Sequence, residues 1–223
     1  MSPDFTLAVF AKAPIPGRVK TRLCPPLTAA QAARLHVAFV RDTVRKVALH
    51  APNSGGASRP ILYHSGDPAG LHGPLADLPP VAWAPQGEGD LGARMARVPA
   101  PCLILGTDSP HLPAARLRQA VDALRESDVV LGPADDGGYY LIGLRAPQPA
   151  LFDGIAWSTS QVLAQTLARA ETLGLRVAVL PPYYDIDTPT DLRRLRTDLA
   201  AGVVAGCPDT CAVLEMLAAV QLF

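Results

Sequence analysis

This sequence has no excess of charge of either sign: 20 Lys and Arg face 20 Asp and Glu, and the formal net charge at pH 7 is zero. That balance removes any bulk electrostatic case for nucleic acid or an acidic membrane surface, so a partner has to be read by a local site. Cysteine is scarce. Of Cys24, Cys102, Cys207 and Cys211, only the last two are closely spaced, and no second Cys or His pair completes a zinc site. They are expected to be free thiols of a reducing cytosol, the last pair one turn apart near a helix start. Long apolar runs are absent as well. The run Phe5–Ala11 is stopped by Lys12, Asp4 stands where a secretory leader wants basic residues, and nothing approaches the ~20 residues of a bilayer span. A cytoplasmic protein without membrane insertion is expected. There is no internal repeat and no composition shift that marks a domain boundary.

What is present suits one α/β domain over residues 1–223. Hydrophobic residues make up 49% of the chain, enough for a sizeable core. Short apolar runs (Thr6–Ala11, Ile61–Tyr63, Val81–Ala84, Cys102–Gly106, Val129–Gly132) alternate with helical periodicity over Thr28–His50 and Ala114–Ser127. That alternation predicts a mostly parallel sheet with helices on both faces. In the first helix Ala32, Leu35, Phe39, Val40, Val44 and Val47 form one apolar stripe, with Thr28 as its N-cap. The 23 prolines fall mainly at junctions. Pro52–Arg59 reads as a flexible surface connection and Thr210–Gln221 as a terminal helix.

In such a sheet ligands bind where loops converge at the carboxyl ends of the strands. Four polar loops, three of them glycine-bearing, follow the expected strands: Lys12–Leu23, Pro85–Met95, Thr107–Pro113 and Pro133–Tyr140. The first gathers Lys12, Arg18, Lys20 and Arg22 around Gly17, enough cations to surround a di- or triphosphate, while Pro14 and Pro16 stiffen it. It is not a Walker A loop. The third brings Asp108 to a strand end, where a carboxylate suits Mg²⁺ or Mn²⁺; Asp108 or Ser109 could instead cap the helix near Pro113. His111 has no ligand partner at useful spacing and reads as a loop residue. The fourth, with Asp135, Asp136, Gly137 and Gly138, predicts a tight turn entering a strand over Tyr139–Leu144.

Further on, Asp185 and Asp187 lie on one side of an extended segment, and either could complete a metal site with Asp108. Asp191 is better explained by the dipole of the helix that Thr188-Pro189 begins. Gln86, Asp90 and Arg94 are assigned to base or phosphate contacts.

The ordered set Pro-Ile-Pro-Gly-Arg-Val-Lys-Thr-Arg-Leu, Gly-Asp-Leu-Gly-Ala-Arg-Met, Gly-Thr-Asp-Ser-Pro, Asp-Asp-Gly-Gly-Tyr-Tyr, Trp-Ser-Thr and Asp-Ile-Asp-Thr-Pro runs from Pro14 to Pro189. It resembles the glycosyltransferase-like DUF2064 family of the GT-A, or nucleotide-diphospho-sugar transferase, superfamily, over about residues 5 to 195. More distantly it is similar to the guanylyltransferases of phospholactate and molybdopterin-cofactor metabolism. The resemblance implies a Rossmann-like GT-A three-layer sandwich. Lys12, Pro16, Gly17, Arg18, Lys20, Arg22, Gln86, Asp90, Arg94 and Thr107 would hold the nucleotide. Asp108, with Asp187 or Asp185, would hold Mg²⁺ or Mn²⁺.

Asp136 is the candidate general base of an inverting sugar transfer. Asp135, Gly137, Gly138 and Trp157 would join it in the loop facing sugar or acceptor. Lys20 would stabilise the leaving group beside the Asp108 metal. The expected activity is a metal-dependent nucleotide-sugar glycosyltransferase acting on a small-molecule acceptor. The alternatives are a guanylyl- or cytidylyltransferase that takes a nucleoside triphosphate and releases pyrophosphate, and a non-catalytic nucleotide-sugar-binding protein.

Overall fold

A computed structural model describes residues 5–50 and 60–219. The Pro52–Arg59 connection and the final residues expected in the terminal helix, Val220 and Gln221, lie outside the described residues. Seven strands form one sheet: β1 (Thr6–Lys12), β2 (Ile61–Ser65), β3 (Ala82–Pro85), β4 (Cys102–Leu105), β5 (Val129–Pro133), β6 (Tyr139–Leu144) and β7 (Val177–Val179). Their order is β3-β2-β1-β4-β6-β5-β7. All neighbours are parallel except β6, which runs antiparallel to β4 and β5. β6 is the strand that the Asp136-Gly137-Gly138 turn returns, and the ladder shifts register at Gly132/Pro133. The mostly parallel, helix-covered sheet expected from the alternation is observed, and with it the α/β Rossmann-like fold that the resemblance implies.

The helices are α1 (Ala29–His50), α2 (Ala69–Leu75), α3 (Leu91–Met95), α4 (Ala115–Glu126), α5 (Val162–Thr172), α6 (Pro189–Ala200) and α7 (Pro208–Ala219). All six stripe positions of α1 are buried, and Thr28 caps it: its hydroxyl accepts from Gln31 N at 3.3 Å, and Gln31 Oε1 accepts from Thr28 N at 2.8 Å. Strand alternation splits the core into two layers. Leu7, Val9 and Leu103 pack with α1 and α4 through Val40, Val44, Leu117 and Leu124. Ala8, Ile104, Leu131 and Ile142 face the opposite layer with Met95, Leu151, Phe152 and Ala170.

A third cluster fixes the functional edge. Leu23, Leu35 and Phe39 pack with Tyr184, Ile186, Leu192, Leu195 and Leu214, so the loop after β1, the segment after β7 and helices α1, α6 and α7 share one core. Cys207 precedes α7, Cys211 lies in its first turn, and both are free thiols. Among the described residues no helix is long and apolar enough to cross a membrane.

Candidate functional site

The site is built where the chain leaves β1 and β4 and where it returns after β7. Loop Ala13–Lys20 ends with Lys20 in the left-handed region, φ 48° and ψ 36°, before a short 3-10 turn at Thr21–Leu23. This conformation is costly for a residue with a Cβ and persists where the surroundings over-determine it. Buried Val19 and Leu23 on either side anchor the turn and send the Lys20 side chain inward, where only 4% of it is exposed. Its ammonium donates to the Ile186 carbonyl at 2.7 Å and to Asp187 Oδ1 at 2.9 Å, and pairs with Asp108 Oδ1. Ile186 N in turn donates to the Asp108 carbonyl at 2.8 Å. Three remote segments are thereby knotted around one cation.

Electrostatics follow from that knot. Burial opposes the charge on Lys20, but Asp108 and Asp187 outweigh it and hold the ammonium above the ordinary lysine range. Burial likewise opposes the charge on Asp108, and Lys20 overrides it, keeping the carboxylate ionised. The two acids remain open to solvent, at 48% and 32% side-chain exposure, so a ligand can reach them. Arg22 lies 3.7 Å from Asp187.

Asp185 behaves differently. Its Oδ1 accepts from Ser109 Oγ at 2.5 Å. Burial first, and then the neighbouring Asp108, Asp136 and Asp187, push its carboxyl up to about 7. Alternation does put Asp185 and Asp187 on one side of the segment, yet the first is tied to the Asp108 loop and only the second shares Lys20.

Other expected residues fall into place unequally. Lys12, Pro16, Gly17, Arg18 and Arg22 are exposed along the first loop. Thr107 is buried beside Asp108. Gln86 is buried, and its carboxamide is consumed internally: Nε2 donates to the Ala11 and Tyr63 carbonyls at 3.3 and 3.1 Å, and Oε1 accepts from Arg94 Nη1 at 3.3 Å. It fastens the loop to the ends of β1 and β2. Asp90 caps α3, accepting from Ala93 N at 2.8 Å, and Arg94 also holds the Gly89 carbonyl.

Asp136 is exposed, with Oδ1 accepting from Gly138 N at 2.8 Å. Asp135 turns away to pair with Arg194 at 2.9 Å, whose guanidinium sits 3.7 Å from the Tyr184 ring centre. Trp157 packs against Phe152 and Gly92.

The alternative of a helix cap is excluded. Neither Asp108 nor Ser109 caps α4, which starts after Ala114 without a side-chain cap; their side chains are engaged by Lys20 and Asp185 instead. His111 lies in the loop between β4 and α4, as expected, and is fully buried against Tyr183 and Tyr184, ring centres 4.7 and 4.2 Å away.

The sequence reading also missed His36 and Lys46. Both lie on α1 and are buried, His36 Nε2 hydrogen-bonded to the Lys12 carbonyl at 2.9 Å and Lys46 Nζ donating to the Pro110 carbonyl at 2.5 Å. Polar residues bordering an apolar helical stripe were the available signal.

The donor set fits a hard divalent cation. Asp108 and Asp187 already converge on one positive group, and the two carboxylates carry more negative charge than Lys20 alone balances. Among the described residues, no group of three or more His, Cys, Asp or Glu is arranged to hold a metal by protein ligands alone. Two carboxylates with phosphate oxygens and water are the usual magnesium arrangement.

A family model described as "Uncharacterized protein conserved in bacteria (DUF2064)" matches residues 47–159. No curated protein matches. Among solved structures, a protein from Desulfovibrio desulfuricans G20 described as a "putative nucleotide-diphospho-sugar transferase" is 31% identical over 97% of this chain and 96% of that chain, with a TM-score of 0.81. A nucleotidyl transferase from Methanothermobacter thermautotroptrophicus is 15% identical over 90% and 100% of the two chains, TM-score 0.55. A 4-diphosphocytidyl-2C-methyl-D-erythritol synthase from Anaerococcus prevotii DSM 20548 is 13% identical over 88% and 97%, TM-score 0.51. The last two share the fold.

Proposed function

We propose that this chain, which belongs to the DUF2064 family, is a metal-dependent transferase that uses an activated nucleotide, with a nucleotide sugar as donor. The observation that carries this reading is the Lys20 knot: one buried ammonium set between Asp108 and Asp187 at the carboxyl ends of the strands. The description of the Desulfovibrio protein, 31% identical along nearly the whole chain, supports the donor class.

In this reading Asp108 and Asp187 hold Mg²⁺ or Mn²⁺, which would supply Lewis-acid neutralisation of phosphate charge. Lys20 stands beside both carboxylates, positioned to stabilise the charge that grows on the leaving nucleoside diphosphate. Lys12, Arg18 and Arg22 border the same edge and attract the polyphosphate. The Asp136 carboxylate, exposed and oriented by Gly138 N, takes the proton of the acceptor hydroxyl if the transfer inverts.

Nucleotidyl transfer is the second reading, favoured by one observation. Asp108 is followed by Ser109 and Pro110, and Ser109 is committed to Asp185, so the second carboxylate at Lys20 comes from a separate segment instead of the same loop. There the leaving group is pyrophosphate, and in-line attack by an acceptor phosphate needs no protein nucleophile.

Labelled donor turned over with Mn²⁺ decides between them. Release of a nucleoside diphosphate is expected; released pyrophosphate would assign the chain to nucleotidyl transfer. Tight nucleotide-sugar binding with no turnover of any donor would make it a binding protein.

A further inference from the structure

We propose that Trp157 is a positioning residue: through the segment Trp157–Ser160 it fixes the spacing between α3, on the nucleotide side of the cleft, and the Asp136 turn, on the acceptor side. The consequence for catalysis rests on the transferase reading, whereas the mechanical link stands on geometry alone.

At one end the indole lies directly against the backbone of α3. A Cβ placed on Gly92 would come within 2.7 Å of Trp157 Cζ2 and 2.8 Å of Phe152 Cβ, so no larger residue fits without moving the ring. The indole Nε1 is buried and, among the described residues, has no hydrogen-bond partner, so the ring engages its surroundings by packing.

At the other end the Ser160 carbonyl presses on the Asp136 turn. Gly137 has φ 89°, and a Cβ there would lie 2.2 Å from Ser160 O. The same glycine's carbonyl accepts from Leu163 N at 2.8 Å. Because Asp136 Oδ1 is held by Gly138 N, the carboxylate direction follows the turn.

Between the two ends the segment is stiff. Ser158 has φ 63°, and among the described residues only Lys20 and Ser158 are non-glycine residues with positive φ. The other member of that pair sits at the centre of the site, consistent with the clustering of such backbone strain at functional places. Thr159 Oγ1 donates to the Ala156 carbonyl at 2.7 Å and accepts from Gln161 N at 3.2 Å, while Gln165 Oε1 accepts from Ala156 N at 2.7 Å. These local bonds close the segment on itself and tie its two ends together. A shift of α3 on filling of the Gln86–Arg94 loop therefore moves the Asp136 turn.

Hydrogen exchange of the ligand-free chain tests the link. Trp157→Ala should raise exchange across 135–139 at least tenfold while β1 and β4 keep their protection, and Trp157→Phe, which retains an aromatic contact, should restore it. Unchanged exchange at 135–139, or an equal rise in β1 and β4, overturns the proposal. Should Trp157→Ala fail to fold, Gly92→Ala serves, with the same outcomes expected.

A second arm uses Trp83→Phe, which leaves Trp157 as the sole tryptophan, titrated with UDP-glucose, CTP and GTP, each with Mg²⁺. Calorimetric binding accompanied by a Trp157 emission shift supports the link, and binding without one overturns it. No binding of any of these ligands counts against the transferase reading, and the exchange result still decides the link.

Discussion

Lys20 concentrates more of the site's physics than any other side chain. Replacing it with Met leaves Asp108 and Asp187 facing each other without a counter-charge, but water reaches both, so the fold should survive. In the transferase reading the phosphate contact is lost together with the bonds to Ile186, Asp187 and Asp108. Charge-assisted hydrogen bonds contribute about 1.5–3 kcal/mol, so Lys20→Met should weaken nucleotide binding roughly 10- to 100-fold by calorimetry, and unchanged affinity would remove Lys20 from the phosphate role.

His111 allows a cleaner residue-level test because it lies outside the carboxylate group. Burial, and then Lys46 and Arg194, push it down to about 3, and among the described residues neither ring nitrogen has a hydrogen-bond partner. The folded state therefore refuses a proton that the unfolded chain accepts near pH 6.5. Stability contributed by neutral His111 is present above pH 6.5 and is lost as pH falls toward 3, at about 1.4 kcal/mol per unit. His111→Phe keeps the packing on Tyr183 and Tyr184 and should flatten the acid limb of a denaturation-midpoint profile relative to the parent; parallel profiles would show that His111 does not titrate this way.

Among the elements, α6 shows how a helix start can aim a functional side chain. Thr188 and Asp191 form a capping box. The Asp191 carboxylate accepts from Thr188 N at 2.7 Å and from Asp187 N at 3.2 Å, so the cap also fixes the backbone that presents Asp187 to Lys20. Thr188→Ala should cost about 1 kcal/mol in urea unfolding and weaken metal-dependent nucleotide binding, while Thr188→Ser should recover both. A stability loss with binding intact would separate the cap from the site.

This element was legible in advance: Thr-Pro before a helical pattern marks its start, and Asp191 falls in its first turn. The same logic failed at α4. There a cap by Asp108 or Ser109 stood open as the alternative to a metal role, whereas the structure engages them with Lys20 and Asp185, both remote in the chain. Local chemistry could be read from local residues; competition between distant partners could not.

Taken whole, the molecule explains why the parts list was readable and its assembly was not. Alternating apolar runs imply a covered parallel sheet, and the Asp-Asp-Gly-Gly turn implies the reversed β6. Strand order, which places β1 beside β4 and so Lys20 beside Asp108, depends on long-range pairing that no window of sequence contains. His36 and Lys46 escaped notice for the same reason: each is polar beside an apolar stripe, and its partner is a carbonyl remote in the chain, at the end of β1 for His36 and in the loop after β4 for Lys46.

The assembled site makes a prediction for the whole fold. A ligand that binds only the folded chain at about 100 times its Kd adds about 2.7 kcal/mol, and for a chain of this size each kcal/mol raises Tm by about 2–4 °C. The correct donor with Mn²⁺ should thus raise Tm by roughly 5–10 °C, and the metal-dependent part should vanish in Asp108→Ala. Equal shifts with and without Mn²⁺ would leave the phosphates held by Lys20 and the basic loop alone, and Asp108 and Asp187 would then serve only to fix that lysine in place.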